Sequence, residues 1–211
     1  MKQLQQYLML FVALMLTTIS QAQTGYPRQQ AQYVGIPSAQ MNFYAAAQNN
    51  SQWCWAASIQ MVLNYYGVNI QQEQIVARTY GRDPYGRLPN WTGSFGVITA
   101  NLNNWNVDNR GRNYGVMASV NRGAPTPSIL VRELSQGRPV IVGYRSGPNS
   151  GHAVVITAVS YTSSPRGPVI QSVVVRDPWP SARNRRNNGR VEYPGADFAA
   201  KMQAYWYIRV R

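Results

Sequence analysis

The hydrophobic period of this chain changes near residue 137, and that change restricts the folds open to it. Before it, Trp55, Ile59, Val62, Leu63 and Tyr66 recur at spacings of three and four. They mark one stripe of a helix that starts near Ser51 or Gln52 and stops at Gly67. Gln71 to Tyr80 reads as a weaker helix ended by Gly81, Phe95 to Trp105 as a third and Pro127 to Gln136 as a fourth, with Gly81 to Thr92 a loop. After it, Pro139 to Tyr144, Ala153 to Tyr161, Val169 to Arg176 and Ala204 to Val210 are β-branched and aromatic, as strands are. Helices first and strands later predict an α+β domain with an antiparallel sheet. At 211 residues the chain supplies one such domain with a real core rather than two.

The amino end lies outside that pattern. Lys2, the apolar run Tyr7 to Ile19 and the small-residue site Ser20-Gln21-Ala22 make residues 1–22 a secretory signal peptide. The run is short for a bilayer span, and no basic flank follows it. Residues 23–47 are polar, rich in Gln and broken by Pro27 and Pro37, and read as a tail that orders as it nears the domain at 48–211. The mature chain is therefore expected to be secreted or periplasmic, without a transmembrane segment, and monomeric.

The net charge is +13, and since Lys2 and Lys201 are the only lysines it is carried by arginine. Such a surplus favours an anionic polymer or surface as partner. No helix-turn-helix, zinc-finger or RNA-binding signature is present, so no specific nucleic acid is expected. Arg183, Arg185, Arg186 and Arg190 form a basic loop, either a solvated face or a guide for acidic substrates. One Cys and one His are too few for a zinc site, and no glycine-rich phosphate loop precedes a helix. Neither a metal nor a cofactor is expected.

A single cysteine in an exported chain has no internal disulfide partner, so it is either buried and inert or a reactive nucleophile. Cys54 falls in the first turn of the best-defined helix, where free backbone N–H groups stabilise a thiolate and can also bind an oxyanion. A thiol nucleophile needs a base, and His152 is the only histidine. If Thr162 to Pro168 is the tip of a hairpin, Tyr161 pairs with Pro168 or Val169, and the first of these registers brings Asp177 opposite His152, on the same face. A slip of one residue would put them on opposite faces. An aspartate there would fix the imidazole tautomer and support its protonated form. Gln48 and Gln52 are candidate side-chain donors to an oxyanion alongside the Cys54 N–H. Trp55 and Trp179 read as packing or cleft-wall residues.

The segment Gln48-Asn-Asn-Ser-Gln-Trp-Cys54-Trp55-Ala-Ala resembles the active-site segment of papain-like cysteine peptidases. Gly137-Arg-Pro-Val-Ile-Val and Gly151-His152-Ala-Val-Val-Ile resemble later segments of their bacterial branch, the AvrRpt2-type (C70) and C39-like peptidases, and Asp177-Pro178 resembles the aspartate of their triad. The likeness spans about residues 34–211. It implies a papain-like fold, with the cysteine helix packed on the sheet that carries His152 and Asp177. It also implies peptide-bond hydrolysis of a protein or peptide substrate, with Gln48, six positions before Cys54, in the oxyanion hole. Papain's disulfide cysteines and a long pro-domain are absent from the sequence. The same Cys, His, Asp order also serves peptidoglycan amidases and transglutaminase-like acyltransferases, and a non-catalytic basic surface-binding module remains a reading of another kind.

Overall fold

The computed structural model describes residues 30–211 except 109 and 149, so the signal peptide read at 1–22 lies outside the described residues. In chain order the elements are β1 (Gln32–Gly35), α1 (Ser38–Asn42), α2 (Cys54–Tyr65), α3 (Gln72–Tyr80), α4 (Phe95–Leu102), β2 (Val116–Arg122), α5 (Pro127–Ser135), β3 (Val140–Gly147), β4 (Ser150–Ser164), β5 (Gly167–Arg176), α6 (Ala182–Arg186), β6 (Arg190–Pro194), α7 (Gly195–Lys201) and β7 (Met202–Val210).

The helix predicted around Ile59 is α2, but it is buried almost all round rather than along one stripe, with Ala56, Ala57, Ser58 and Met61 also inside. The small side chains at 56–58 let other elements approach those sides closely. The chain turns out of α2 at Gly67, whose φ is 89°, with the Val68 N–H donating to Leu63 O at 2.9 Å. Its start is one or two residues later than predicted. Trp53 is the capping residue and no side chain caps the first turn. By contrast Gln71 and Gln74 cap α3 reciprocally, and Ser94 caps α4.

Every strand pairing is antiparallel, and the sheet runs β2-β7-β3-β4-β5-β6. The 15-residue β4 is long enough to take two partners along one edge, β3 against residues 150–156 and β1 against 158–161. Thus part of the stretch 23–47 is a strand of this sheet. At Gly35 a Cβ would meet the Ala158 Cα at 2.4 Å, so only glycine lets β1 lie this close.

Side chains alternate through β3 and β4. Ile141, Ala153 and Val155 join the core under α2–α4, while Val140, Val142, Val154 and Ile156 join a second core under α5 and α7. Burial of both faces explains why these strands read as unbroken apolar runs. The papain-like α+β layout expected from the sequence, with the cysteine helix against an antiparallel sheet, is the one observed.

The hairpin differs in detail. Thr162 to Ser164 and Gly167 to Pro168 are strand, and only Pro165 and Arg166 form the turn. Ser163 pairs with Pro168 and Tyr161 with Ile170, two residues from the predicted register. Two bulges, between Ile156 and Ala158 and between Ser160 and Tyr161, offset one another, so the far end pairs Val155 with Arg176. His152 and Asp177 are consequently diagonal neighbours rather than directly opposed. A shift of two conserves the face, which a shift of one would not.

Candidate active site

Cys54 is the first residue of α2 and 8% exposed. The first intrahelical bond, from the Ala57 N–H to Trp53 O at 2.9 Å, leaves the N–H groups before it outside the helix ladder. Trp55, one residue on, is fully buried, its indole N–H donating to Trp91 O at 3.1 Å. It packs, as expected.

His152 reaches the same place from β4. A cleft of about 60 Å³ is lined by Cys54, Trp55, Phe95, Tyr144 and His152 among others. The His152 Nε2–H donates to Asp177 Oδ1 at 2.7 Å, and both side chains are 11% exposed. With Nε2 so engaged, Nδ1 is the nitrogen left to face the thiol. Burial opposes a proton on His152, but the Asp177 carboxylate and then the Cys54 sulfur outweigh it and push its pKa up to about 9. An imidazolium is the state these neighbours favour.

Tyr144 pairs directly across from His152 on β3, its ring edge-on to the imidazole at 5.7 Å. Burial, with Tyr193 and then Asp177 adding to it, raises its pKa far above that of a free phenol, so it is a neutral wall rather than a base. No periodicity in the sequence singles it out.

Asp177 follows β5 directly. Its Oδ1 also accepts the Trp179 N–H at 2.8 Å, and its own N–H donates to Gly189 O at 2.8 Å. Inside the loop, the Gly189 N–H donates to Asn184 O at 2.7 Å and the buried Asn184 Nδ2 to Trp179 O at 2.9 Å. Gly189 has φ 70°, and a Cβ there would lie 2.5 Å from Asp177 O. Arg176, 1% exposed, closes the loop from inside, donating from Nη1 to Asn188 O at 3.0 Å and from Nη2 to Ser38 O at 2.9 Å. Burial and then the neighbouring Arg190 lower its pKa. The basic stretch read as a loop is therefore a folded clasp around the aspartate, with α6 inside it.

Gln48 is buried, and its N–H donates to Pro178 O at 2.8 Å, tying this segment to the Asp177 turn. Its Nε2 donates to Asn50 O at 2.9 Å and Ser51 O at 2.8 Å, so both amide hydrogens are engaged locally. Its Oε1 is buried with no hydrogen-bond partner among the described residues. Gln52 is exposed, its backbone N–H donating to Asn90 Oδ1 at 3.0 Å. Trp179 is half exposed beside the clasp. Among the described residues no group of three or more His, Cys, Asp or Glu gathers as metal ligands, and no helix is long and apolar enough to cross a membrane.

The family model described as "Peptidase_C39 like family" matches residues 38–210. No curated protein matches the chain. Among solved structures, the peptidase domain of Streptococcus ComA, a bi-functional ABC transporter involved in a quorum-sensing pathway, has 14% identity and a TM-score of 0.49, over 77% of this chain and 95% of that one. A double-glycine-motif protease from an AMS/PCAT transporter, in complex with the leader peptide, has 18% identity and a TM-score of 0.46, over 86% of this chain and 94% of that one. Digestive procathepsin L2 from the larval midgut of Tenebrio molitor has 11% identity and a TM-score of 0.46, over 83% and 67% respectively.

Proposed function

The chain belongs to the Peptidase_C39 like family and is a papain-like cysteine peptidase, and on that footing we propose that it hydrolyses peptide bonds outside the cytoplasm through Cys54, His152 and Asp177. The Cys54 thiolate attacks the scissile carbonyl carbon and forms a C–S bond while the carbonyl π electrons move to oxygen. The uncapped N–H of Cys54 at the start of α2 stabilises that oxyanion, and Gln48 joins it by releasing one of its two carbonyl contacts. Collapse of the intermediate breaks the C–N bond, and His152 gives its proton to the departing amine. Water, losing a proton to the same imidazole, then attacks the thioester and frees the acid and the thiolate. Asp177 holds the ring throughout and supports its positive charge whenever it is protonated. Residues 1–22 direct export.

The observation that carries this reading is the 2.7 Å contact between His152 Nε2 and Asp177 Oδ1 at a cleft that His152 shares with Cys54. The test is iodoacetamide labelling of Cys54 at neutral pH. Labelling is expected to be fast in the native protein and at least ten times slower in His152→Ala, where no imidazole remains to take the thiol proton. Cys54→Ala should fold with unchanged circular dichroism and cleave no peptide. Undiminished cleavage by Cys54→Ala would end the reading.

A further inference from the structure

The clasp around Asp177 leaves a cavity of about 220 Å³ between itself and the Ala45–Ala47 segment. Trp179, Asn184, Arg185 and Asp177 contribute to its lining. His152 lines the cleft of Cys54 and Asp177 lines this cavity, and the two residues are hydrogen-bonded at 2.7 Å. At about 3.3 Å per extended residue, a peptide lying over Cys54 reaches the cavity within a few residues of its scissile bond.

The lining defines what fits. The volume suits one side chain or a chain end, and the three alanines leave it open. Arg185 is the one cation among the described lining residues, and Asp177 the one anion. Asp177 is ion-paired with the protonated His152 at 2.7 Å rather than with Arg185, so its charge is offset there and Arg185 is left for a ligand. Arg183 and Arg186 flank Arg185 on the same short helix and are exposed, so the local field is positive. The half-exposed Trp179 indole provides a flat wall for the aliphatic part of a bound group.

We propose that this cavity is a subsite for a carboxylate of the peptide substrate, paired with Arg185. The subsite deepens the cysteine-peptidase reading and rests on it. The carboxylate can belong to an acidic side chain or to the free carboxyl end of the peptide, and the test separates the two.

Cleavage of a mixed peptide library, read by mass spectrometry, first supplies a substrate. Matched peptides then differ by Glu against Gln at each position around the cut, and by a terminal acid against an amide. At one position the charged member is expected to have a kcat/KM about tenfold higher, as befits a charge-assisted contact at a partly open site. In Arg185→Gln that ratio should fall toward one, and in Arg185→Glu it should fall below one, in favour of the neutral member. Arg132→Gln, an exposed arginine on α5 outside the cavity, controls for total charge. No charged preference at any position, a preference untouched by both Arg185 variants, or one lost equally in Arg132→Gln would overturn the subsite. Iodoacetamide labelling on the same samples keeps the two claims apart. A native protein that does not label sinks the peptidase reading, whereas a labelling protein with flat ratios sinks the subsite alone.

Discussion

A proton on His152 is opposed by burial and favoured by Asp177 and Cys54, and the balance lies near pH 9. In the proposed mechanism that proton passes to the leaving amine, so kcat/KM is expected to fall as pH rises through about 9. In Asp177→Asn the carboxylate's support is lost, so the alkaline limb should move down toward the free imidazole value of about 6.5. Some activity should remain, and a pH-rate profile of both proteins checks this. The same shift bears on folding. A group whose folded pKa is raised contributes stability that is full below its unfolded value of about 6.5 and is lost as pH rises through about 9, so Tm should decline over that window. Gln48 poses a sharper question, because its amide hydrogens are held by the carbonyls of Asn50 and Ser51. If one of them turns to the oxyanion during reaction, Gln48→Ala lowers kcat about a hundredfold or more with little change in KM. A purely structural Gln48 would show a lower Tm with kcat intact. The singular Cys54 and His152 were legible in the sequence because no competing residue of either type exists. The direction of the Gln48 amide was not, since no local pattern encodes it.

Short elements carry the site and were the hardest to read. Ser163, Ser164, Pro165, Gly167 and Pro168 are turn formers by composition, yet pairing across the hairpin draws all but Pro165 and Arg166 into strands. The proximity of His152 and Asp177 survived that error only because the register moved by an even number. The strand β6 and helices α6 and α7 escaped notice because five to seven residues give too few periods to recognise, and their stability comes from packing. Yet the clasp, which holds α6 and leads into β6, places Asp177. Gly189→Ala would strain a φ of 70° and push a methyl into Asp177 O at 2.5 Å. We expect a loss of about 1–3 kcal/mol in stability. The fall in kcat should exceed the change in KM, and the alkaline limb should move down as in Asp177→Asn. A variant with lowered Tm but a native pH profile would show that the clasp does not position Asp177 for the proposed reaction.

Among the described residues the sheet carries a core on each face, one under α2–α4 and one under α5 with α7, and residues from 31 onward pack as one unit. The change of period was enough to read this α+β layout, because each half had to bury its own kind of apolar surface. It was not enough to reveal β1, whose Gln-Tyr-Val-Gly sequence carries little apolar patterning and owes its place to the edge of β4. A protein beginning at residue 36 should lose the hydrogen bonds between residues 32–35 and 158–161 and self-associate more than the longer protein in size-exclusion chromatography. Maturation that trims the amino end is thereby given a limit. Cuts ahead of Gln32 spare the strand, whereas a cut a few residues further on would bare a row of amides midway along the longest strand, inviting another chain to dock there.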